Sequence, residues 1–467
     1  MTSPSLPIFN RAQVIGLAAF ALGVRLAYLA LVLIFGGQID NGSDSGKYIQ
    51  LAANILEYGA YLNWDLGVLI PETGRMPVYP YVLAGILGVV GLKTLWVVSF
   101  IQAIVDTSTV FAVGLIAGAM RREWAIPASA IACVSMTTIV YASFVLSDTL
   151  FLSLFTWGLC ACVWAARRPE ALWLAVAAGL LFTIATYTRP VLMFFPLILV
   201  PAFAVLLRVY ADRTWRRAIA LSVIPAAMIV VSLVPRVMTN KAEFGTAVVS
   251  TQSGNHALDV VDQLLRLCAE CQAEGREARM HDEVAARFAS TSAADQKNPM
   301  VLDRIRRDVA LEYFKQIPVQ VIVYGGLTAA LRSVIQTGLY ETGQQFHLAP
   351  RFFSAIEGPS LAGRLQAFAG TIPTDGFLLL WAAGQTLAIG AVALQIVGTV
   401  VGLANPGMRP YALFLLAVGG YFLIVNGPFG NPRYGMPLTP VAIVLTVAGG
   451  AAILRRFRPG PTRSAAL

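Results

Sequence analysis

The sequence predicts an all-α protein that crosses a membrane about ten times, and three observations predict it. Of the 467 residues, 57% are hydrophobic and only 13% are charged, whereas a soluble domain carries about 25% charged residues. Mean hydropathy is +0.69. Apolar runs close to the roughly 20 residues a crossing helix needs recur along most of the chain, separated by short polar segments rich in arginine. The net charge of +9 reads as a cytoplasmic bias and contact with lipid phosphate, not as nucleic-acid binding. Three His and five scattered Cys offer no zinc-like spacing.

The first span is read at Gln13–Gly36. It is too long for a signal-peptide core and has no convincing small-residue cleavage site, so it is expected to stay attached. Arg25 lies near its middle, and Asp106 lies at similar depth in the next span, Leu95–Met120. A charge at that depth needs a partner, and antiparallel packing would bring the two together as a structural ion pair. Further spans follow at Ala125–Phe144, Thr149–Ala166, Leu172–Tyr187, Val191–Leu207 and Ala218–Val237. Arg121-Arg122, Arg167-Arg168 and the group Arg208, Arg213, Arg216 and Arg217 punctuate them. Placing these clusters in the cytoplasm puts the first loop, Asp148, Arg189 and the segment after Val237 on the opposite face.

That first loop, residues 37–93, is the most informative stretch. From Asp44 to Tyr58 the apolar positions Tyr48, Leu51, Ala52 and Ile55 fall at helical spacing, with Lys47, Gln50, Asn54 and Glu57 on the other face. This predicts an amphipathic surface helix. Pro77–Gly91 is apolar but short, and a crossing there would carry Arg121-Arg122 outside, so it is read as a second surface helix.

Residues 238–316 are polar and charge-mixed and predict a small outside subdomain, with helical stretches near Ala257–Arg276 and Met280–Ala289. Its Cys268 and Cys271, spaced CAEC, have a structural role and could pair in an oxidising compartment. Ile317–Gln336 contains Gly325-Gly326 and Arg332 and is read as interfacial. Gly376–Leu403, Tyr411–Val425 and Pro437–Leu454 complete the spans, which leaves both chain ends inside and Arg433 outside. The organisation is thus a membrane module at 1–237, a subdomain at 238–316, and an interfacial helix with further spans at 317–467.

The outer face therefore collects Asp44, Lys47, Arg75, Asp148, Arg189 and Arg433. Arginine and lysine hold phosphate oxygens and stabilise charge on a leaving phosphate. A carboxylate can take a proton from an attacking hydroxyl. These are the parts needed to move a sugar off a polyprenyl phosphate, and one displacement with one base would invert the anomeric centre. A transporter or flippase of lipid-linked sugars is the rival reading. It would keep ionisable groups along a mid-membrane path and show two related halves.

Four runs carry a resemblance. DSGKYIQLAANILEYGAY with GRMPVYPYVLAGI, LSDTLFLSLF, TYTRPVLMFFPL and NPRYGMPLTP occur in this order. They resemble motifs of the GT-C glycosyltransferases, in the bacterial branch similar to protein O-mannosyltransferases and the lipid A aminoarabinose transferase. The resemblance implies a GT-C-like bundle in a bacterial inner membrane with its site facing the periplasm. It also implies a polyprenyl-phosphate sugar donor, a cell-envelope acceptor (lipid, polysaccharide or protein), and catalysis by the first-loop acid, here Asp44. Relatives often show two adjacent acids where this chain has Asp44-Ser45, which weakens the case for a bound cation.

Each residue also has a plainer reading. Asp44 could be a helix N-cap, with Asp40 the fallback base. Asp148 could complement a helix N-terminus, or position groups beside Asp44. No cofactor is required by the sequence, and Asp44 and Asp148 are the pair that would hold a divalent cation. Lys47, Arg75, Arg189 and Arg433 are assigned to donor phosphate, against interface anchoring. Tyr48, Tyr61 and Tyr434 are candidate sugar or acceptor contacts, although Tyr48 and Tyr61, with Tyr58 and Trp64, also fit an interfacial aromatic belt.

Overall fold

The structure, a computed structural model, describes residues 8–40, 42–65, 68–168, 172–210, 213–335, 337–348, 376–429 and 432–457. Its helices in the first half are α1 (Arg11–Ile34), α2 (Ser43–Tyr58), α3 (Val78–Val90), α4 (Leu95–Met120), α5 (Ala125–Cys133), α6 (Met136–Ser143), α7 (Asp148–Ala165), α8 (Leu172–Thr188), α9 (Pro196–Tyr210) and α10 (Trp215–Phe244). The segment between α10 and the last three long helices adds α11 (Gln252–Leu267), α12 (Ala269–Ala273), α13 (Arg276–Ala289), α14 (Pro299–Phe314), α15 (Val319–Val334) and α16 (Leu339–Gln345). The chain then continues through α17 (Gly376–Ala404), α18 (Arg409–Asn426) and α19 (Thr439–Phe457).

Among the described residues, seven helical stretches are long and apolar enough to cross a membrane. They are α1, α4, α7, α10, α17, α18 and Arg433–Arg456, which takes in all of α19 but its last residue. The shorter apolar α8 and α9 and the bent pair α5–α6 occupy the other positions read as spans. Small residues let the last helices touch: a Cβ on Gly398 of α17 would fall 2.0 Å from the Leu445 carbonyl oxygen of α19, and one on Gly449 would fall 2.0 Å from that of Leu394. Close backbone approach of this kind is how membrane helices gain contact where lipid offers no hydrophobic drive.

The span expected at 125–144 is corrected in one respect. It breaks between α5 and α6 with a bend of 48°, although no Gly or Pro stands at the break. A side chain of α1 caps the break. Arg25, 2% exposed, binds Asp106 at 2.6 Å and donates to the carbonyl of Cys133 at 3.2 Å, with Ala132 at 3.4 Å. Both are helix-end carbonyls of the kind that need donors from outside the helix, and that of Ala132 also accepts from the Ser135 amide at 3.4 Å. The Arg25–Asp106 pair thus stabilises a broken helix as well as neutralising itself.

The amphipathic pattern of α2 is realised. Tyr48, Leu51 and Ala52 are buried, and Tyr48 and Ala52 share a cluster with Tyr79, Leu83, Ala84 and Leu87. Unforeseen in the sequence is an antiparallel hairpin between the two surface helices, β1 (Leu62–Asp65) and β2 (Val68–Pro71), with Leu62 opposite Pro71 and Asp65 opposite Val68. The subdomain has its own core, built on Leu264, Cys268, Cys271, Met280 and Val309, and Cys268 and Cys271 are joined as a disulfide. Its charged helix α14 was not anticipated.

Helix α15 has 16 residues, turns 115° from α14, and packs against α11 and the turn at Gly427–Phe429. It lies over the end of the bundle. Val319, Val323, Leu327 and Leu331 form an outward stripe, 54–70% exposed, as suits an interfacial helix. Next in the chain, α16 is clamped between α1 and α6. Tyr28 donates to Gln345 Oε1 at 2.7 Å, and Gln345 Nε2 donates to Ser143 Oγ at 2.9 Å.

Arg25→Ala removes both a buried charge partner and the donors at the α5–α6 break. Breaking such a pair costs about 3–5 kcal/mol, so the variant is expected to lose most of its folded fraction on thermal challenge in detergent, read by size-exclusion chromatography. An unchanged midpoint would contradict this role.

Candidate functional site

Four segments distant in sequence deliver charged side chains to one end of the bundle. The first is the start of α2. The helix opens after Gly42, whose φ of 66° is the left-handed backbone glycine accepts most readily. Asp44 sits in the first turn but makes no cap hydrogen bond. Its carboxylate is instead bound by Arg75 and Arg433, so the N-cap alternative is not realised.

The second is the loop after the hairpin, held from three sides. Glu72 Oε1 accepts from the backbone N–H of Gly74 and Arg75, each at 2.6 Å. Arg236 of α10 donates to the carbonyl oxygens of Glu72 and Arg75, each at 3.0 Å. Tyr61 donates to the Arg75 carbonyl at 3.1 Å. Burial and the charge of Glu72 push the Tyr61 phenol well above its ordinary range, so it remains a donor. Held this way, the Arg75 guanidinium lies 5.5 Å over the Tyr48 ring.

The third and fourth segments meet at Asp148, 2% exposed at the start of α7. Arg189, at the end of α8, binds it. Arg433, on the one-turn helix Pro432–Gly435, donates Nε to Asp148 at 2.9 Å and pairs through Nη2 at 2.8 Å, while its Nη1 reaches Asp44. Arg189 also lies over the rings of Phe151 and Tyr434, at 5.9 and 5.8 Å.

Three guanidiniums against two carboxylates leave one excess positive charge. Burial alone would raise the Asp44 carboxyl, but the Arg433 and Arg75 charges outweigh it and hold the group below the ordinary aspartate range. Asp44 is therefore an ionised carboxylate at neutral pH.

Two cavities meet here. One, of about 720 Å³, has Asp44, Arg75, Asp148, Arg189 and Arg433 in its wall and continues between Met193, Phe194, Val230, Leu233, Val234 and Val237. Phe194, Val230 and Val234 are 47–55% exposed, so this apolar slot opens toward the side that lipid would cover. The other, of about 410 Å³, is polar and is lined by the subdomain and the first loop.

Of the residues picked from sequence, Asp44, Asp148, Arg75, Arg189, Arg433, Tyr48 and Tyr434 line the apolar cavity. Lys47 does not join the arginines; it binds Asn63 of the hairpin and lines the polar cavity. Tyr61 lines neither cavity and braces the Arg75 loop instead of facing a ligand. Asp40 is exposed and also lines neither. Tyr48 is 4% exposed, and its hydroxyl is shared with Ser147 at 3.0 Å. Asn431, beside Arg433, falls outside the described residues.

Sequence reasoning missed Glu72, Arg236, Gln252 and Asn255. An arginine after Pro235 at the outer end of a span offered a signal for Arg236, parallel to Arg433 after Pro432. The residues do not fit a cation bridging Asp44 and Asp148, because the Arg433 guanidinium binds both carboxylates. No group of three or more His, Cys, Asp or Glu is placed to hold a metal among the described residues.

No protein-family profile matches this sequence, and no curated protein matches it. The fold does have counterparts among solved structures. The apo oligosaccharyltransferase of Archaeoglobus fulgidus is similar over 95% of this chain and 50% of its own, at 13% identity and a TM-score of 0.53. Archaeal oligosaccharyltransferase AglB from Archaeoglobus fulgidus, in complex with an inhibitory peptide and a dolichol-phosphate, is similar over 93% and 50%, at 14% identity and a TM-score of 0.50. The chain thus spans about half the length of the proteins it matches. It shares its fold with these archaeal oligosaccharyltransferases.

The arginine cluster can be tested as an anion site directly. Arg433→Lys keeps the charge but loses the planar fork that reaches both carboxylates. Binding of a long-chain alkyl phosphate in detergent is expected to weaken about 10- to 100-fold, the loss of about 1.4–3 kcal/mol that charge-assisted hydrogen bonds carry.

Proposed function

We propose that the protein is an inverting glycosyltransferase of a bacterial inner membrane. It moves a sugar from a polyprenyl-phosphate carrier to an acceptor in the cell envelope, at the periplasmic face. One observation carries this reading: an apolar slot open to the lipid side ends at three guanidiniums gathered around two carboxylates, one of them the ionised Asp44. A ligand that matches both ends is an amphiphile with a long hydrocarbon tail and a phosphate head.

The chemistry follows from the residues. Arg75, Arg189 and Arg433 hold the donor phosphate and stabilise the charge that grows on it as the sugar–oxygen bond breaks. Asp44 takes the proton of the acceptor hydroxyl as that oxygen bonds to the anomeric carbon. One displacement inverts the centre, by analogy with inverting glycoside hydrolysis. The carrier leaves as polyprenyl phosphate. Asp148, buried and bound to Arg189 and Arg433, positions these two arginines.

Further support comes from two sides. AglB, which has the same fold, is seen with a dolichol-phosphate, a carrier of this chemical class. The Cys268–Cys271 disulfide suits an oxidising compartment such as the periplasm. A transporter is disfavoured by the distribution of charge: the site's ionisable groups lie at one end of the bundle, and the deep Arg25–Asp106 pair lines a crevice of only about 10 Å³.

Asp44→Asn is expected to lower sugar transfer about 10²- to 10⁴-fold while the protein still extracts and elutes as wild type. Retained transfer would remove the proposed base. The pH dependence has a definite sign. A lowered carboxyl pKa leaves Asp44 charged above it, and the active form is lost only as pH falls through that value. The kcat/KM for donor, which reports the free enzyme, should therefore stay level from about pH 8 to about pH 5, with an acid limb below the ordinary aspartate value of about 3.9.

A further inference from the structure

The polar cavity has no role in holding the donor, yet it reaches the same carboxylate. It shares Asp44, Gly74, Arg75, Gln252 and Asn255 with the apolar cavity, so the two chambers meet at Asp44. Their chemistry is opposite. Of the thirteen residues lining the polar chamber, only Pro299 and Leu302 present hydrocarbon side chains. Its charges are balanced, with Asp44, Glu72 and Asp303 against Lys47, Arg75 and Arg306.

Glu72 is the second observation. It is 5% exposed, and its Oε1 is committed to the Gly74 and Arg75 amides. Its Oε2 makes no hydrogen bond among the described residues. Buried polar atoms are nearly always paired, and this one belongs to a residue in the chamber wall. The wall is also firmly built: Ser250 Oγ donates to the Gly74 carbonyl at 2.6 Å, and the Thr251 amide donates to the Thr73 carbonyl at 3.1 Å. The subdomain and the first loop thus form one rim.

We infer that the polar chamber is the acceptor subsite and takes a hydroxyl-rich carbohydrate without a lipid anchor. The inference rests on the transferase reading above. A hydroxyl both donates and accepts, which matches a wall that mixes carboxylates with Asn63, Gln252, Asn255 and cationic donors. A phosphorylated acceptor would call for an excess of cations, and the chamber has none. A lipid-anchored acceptor would need a second apolar channel, whereas this wall is completed by α11 and α14 of the subdomain. Its volume of about 410 Å³ is that of a small-molecule site.

The test uses the full chain in lipid nanodiscs, radiolabelled undecaprenyl-phosphate sugars as donors, and the water-soluble glycans of the host envelope as acceptor. Label should enter proteinase-resistant, water-soluble saccharide. Lys47→Ala and Arg306→Ala, both in the wall of the polar chamber and not of the apolar one, should each raise the acceptor KM tenfold or more. Undecaprenyl phosphate binding should stay within twofold in both variants. Label found in chloroform–methanol extract or in protein overturns the inference, as does an acceptor KM that moves less than twofold in both variants. If undecaprenyl phosphate does not bind the unaltered protein, the transferase reading falls and takes this inference with it.

Discussion

Arg433 bridges two carboxylates that the rest of the chain holds apart. Asp44 comes from the first turn of a surface helix, and Asp148 from the first turn of a helix packed in the bundle. Each is paired with this guanidinium and one other, Arg75 at Asp44 and Arg189 at Asp148. Asp148 in particular is almost wholly buried, and a buried carboxylate stripped of its partner costs several kcal/mol. Because Arg433 stands between α18 and α19, the close packing of α17 on α19 through Gly398 and Gly449 bears on where its fork can reach. The ionic bridge therefore ties the N-terminal loop and the C-terminal helices to the central bundle. Those are the parts whose relative placement makes a cavity.

A second constraint acts on the Arg75 loop. Its carbonyls are held by Arg236 and Tyr61, its amides by Glu72, and its far side by Ser250. None of these bonds involves a partner of opposite charge, so the loop is fixed by backbone satisfaction and not by ion pairing. One result is that Arg75 faces Asp44 from a rigid support. Another is that the wall between the two chambers is the same short loop, so groups that touch the donor and groups that touch the polar chamber cannot shift independently.

The spans, the surface helix α2 and five of the six charged residues picked for the outer face were legible because they follow from local pattern. Apolar periodicity gives the helices, and a charge at the outer end of a span is conspicuous in so apolar a chain. What failed depended on contacts far apart in sequence. The α5–α6 break has no Gly or Pro to announce it, and the side chain that donates to its Cys133 carbonyl is Arg25, 108 residues earlier. Lys47 could not be placed away from the arginines without the hairpin that supplies Asn63, and strands of four residues leave too little alternation to read. Tyr61 looked like an aromatic ready for a sugar, yet its hydroxyl belongs to a backbone carbonyl. Glu72 gave no sign at all, since its importance lies in one paired and one unpaired oxygen.

The arrangement also carries an apparent contradiction, since a carboxylate held below its ordinary pKa is a poor base. The resolution lies in what holds it there. The lowering comes from Arg433 and Arg75 against a burial effect of opposite sign, and these same guanidiniums are the ones a phosphate would engage. In the proposed reaction the donor phosphate draws them toward itself and loosens their hold on Asp44. Burial then acts with less opposition, and the carboxylate gains affinity for a proton. The base is thus strengthened by the arrival of the donor it serves. Before the donor arrives, water at Asp44 meets a weak base and an incomplete site, whereas an acceptor hydroxyl arriving after the donor meets a stronger one.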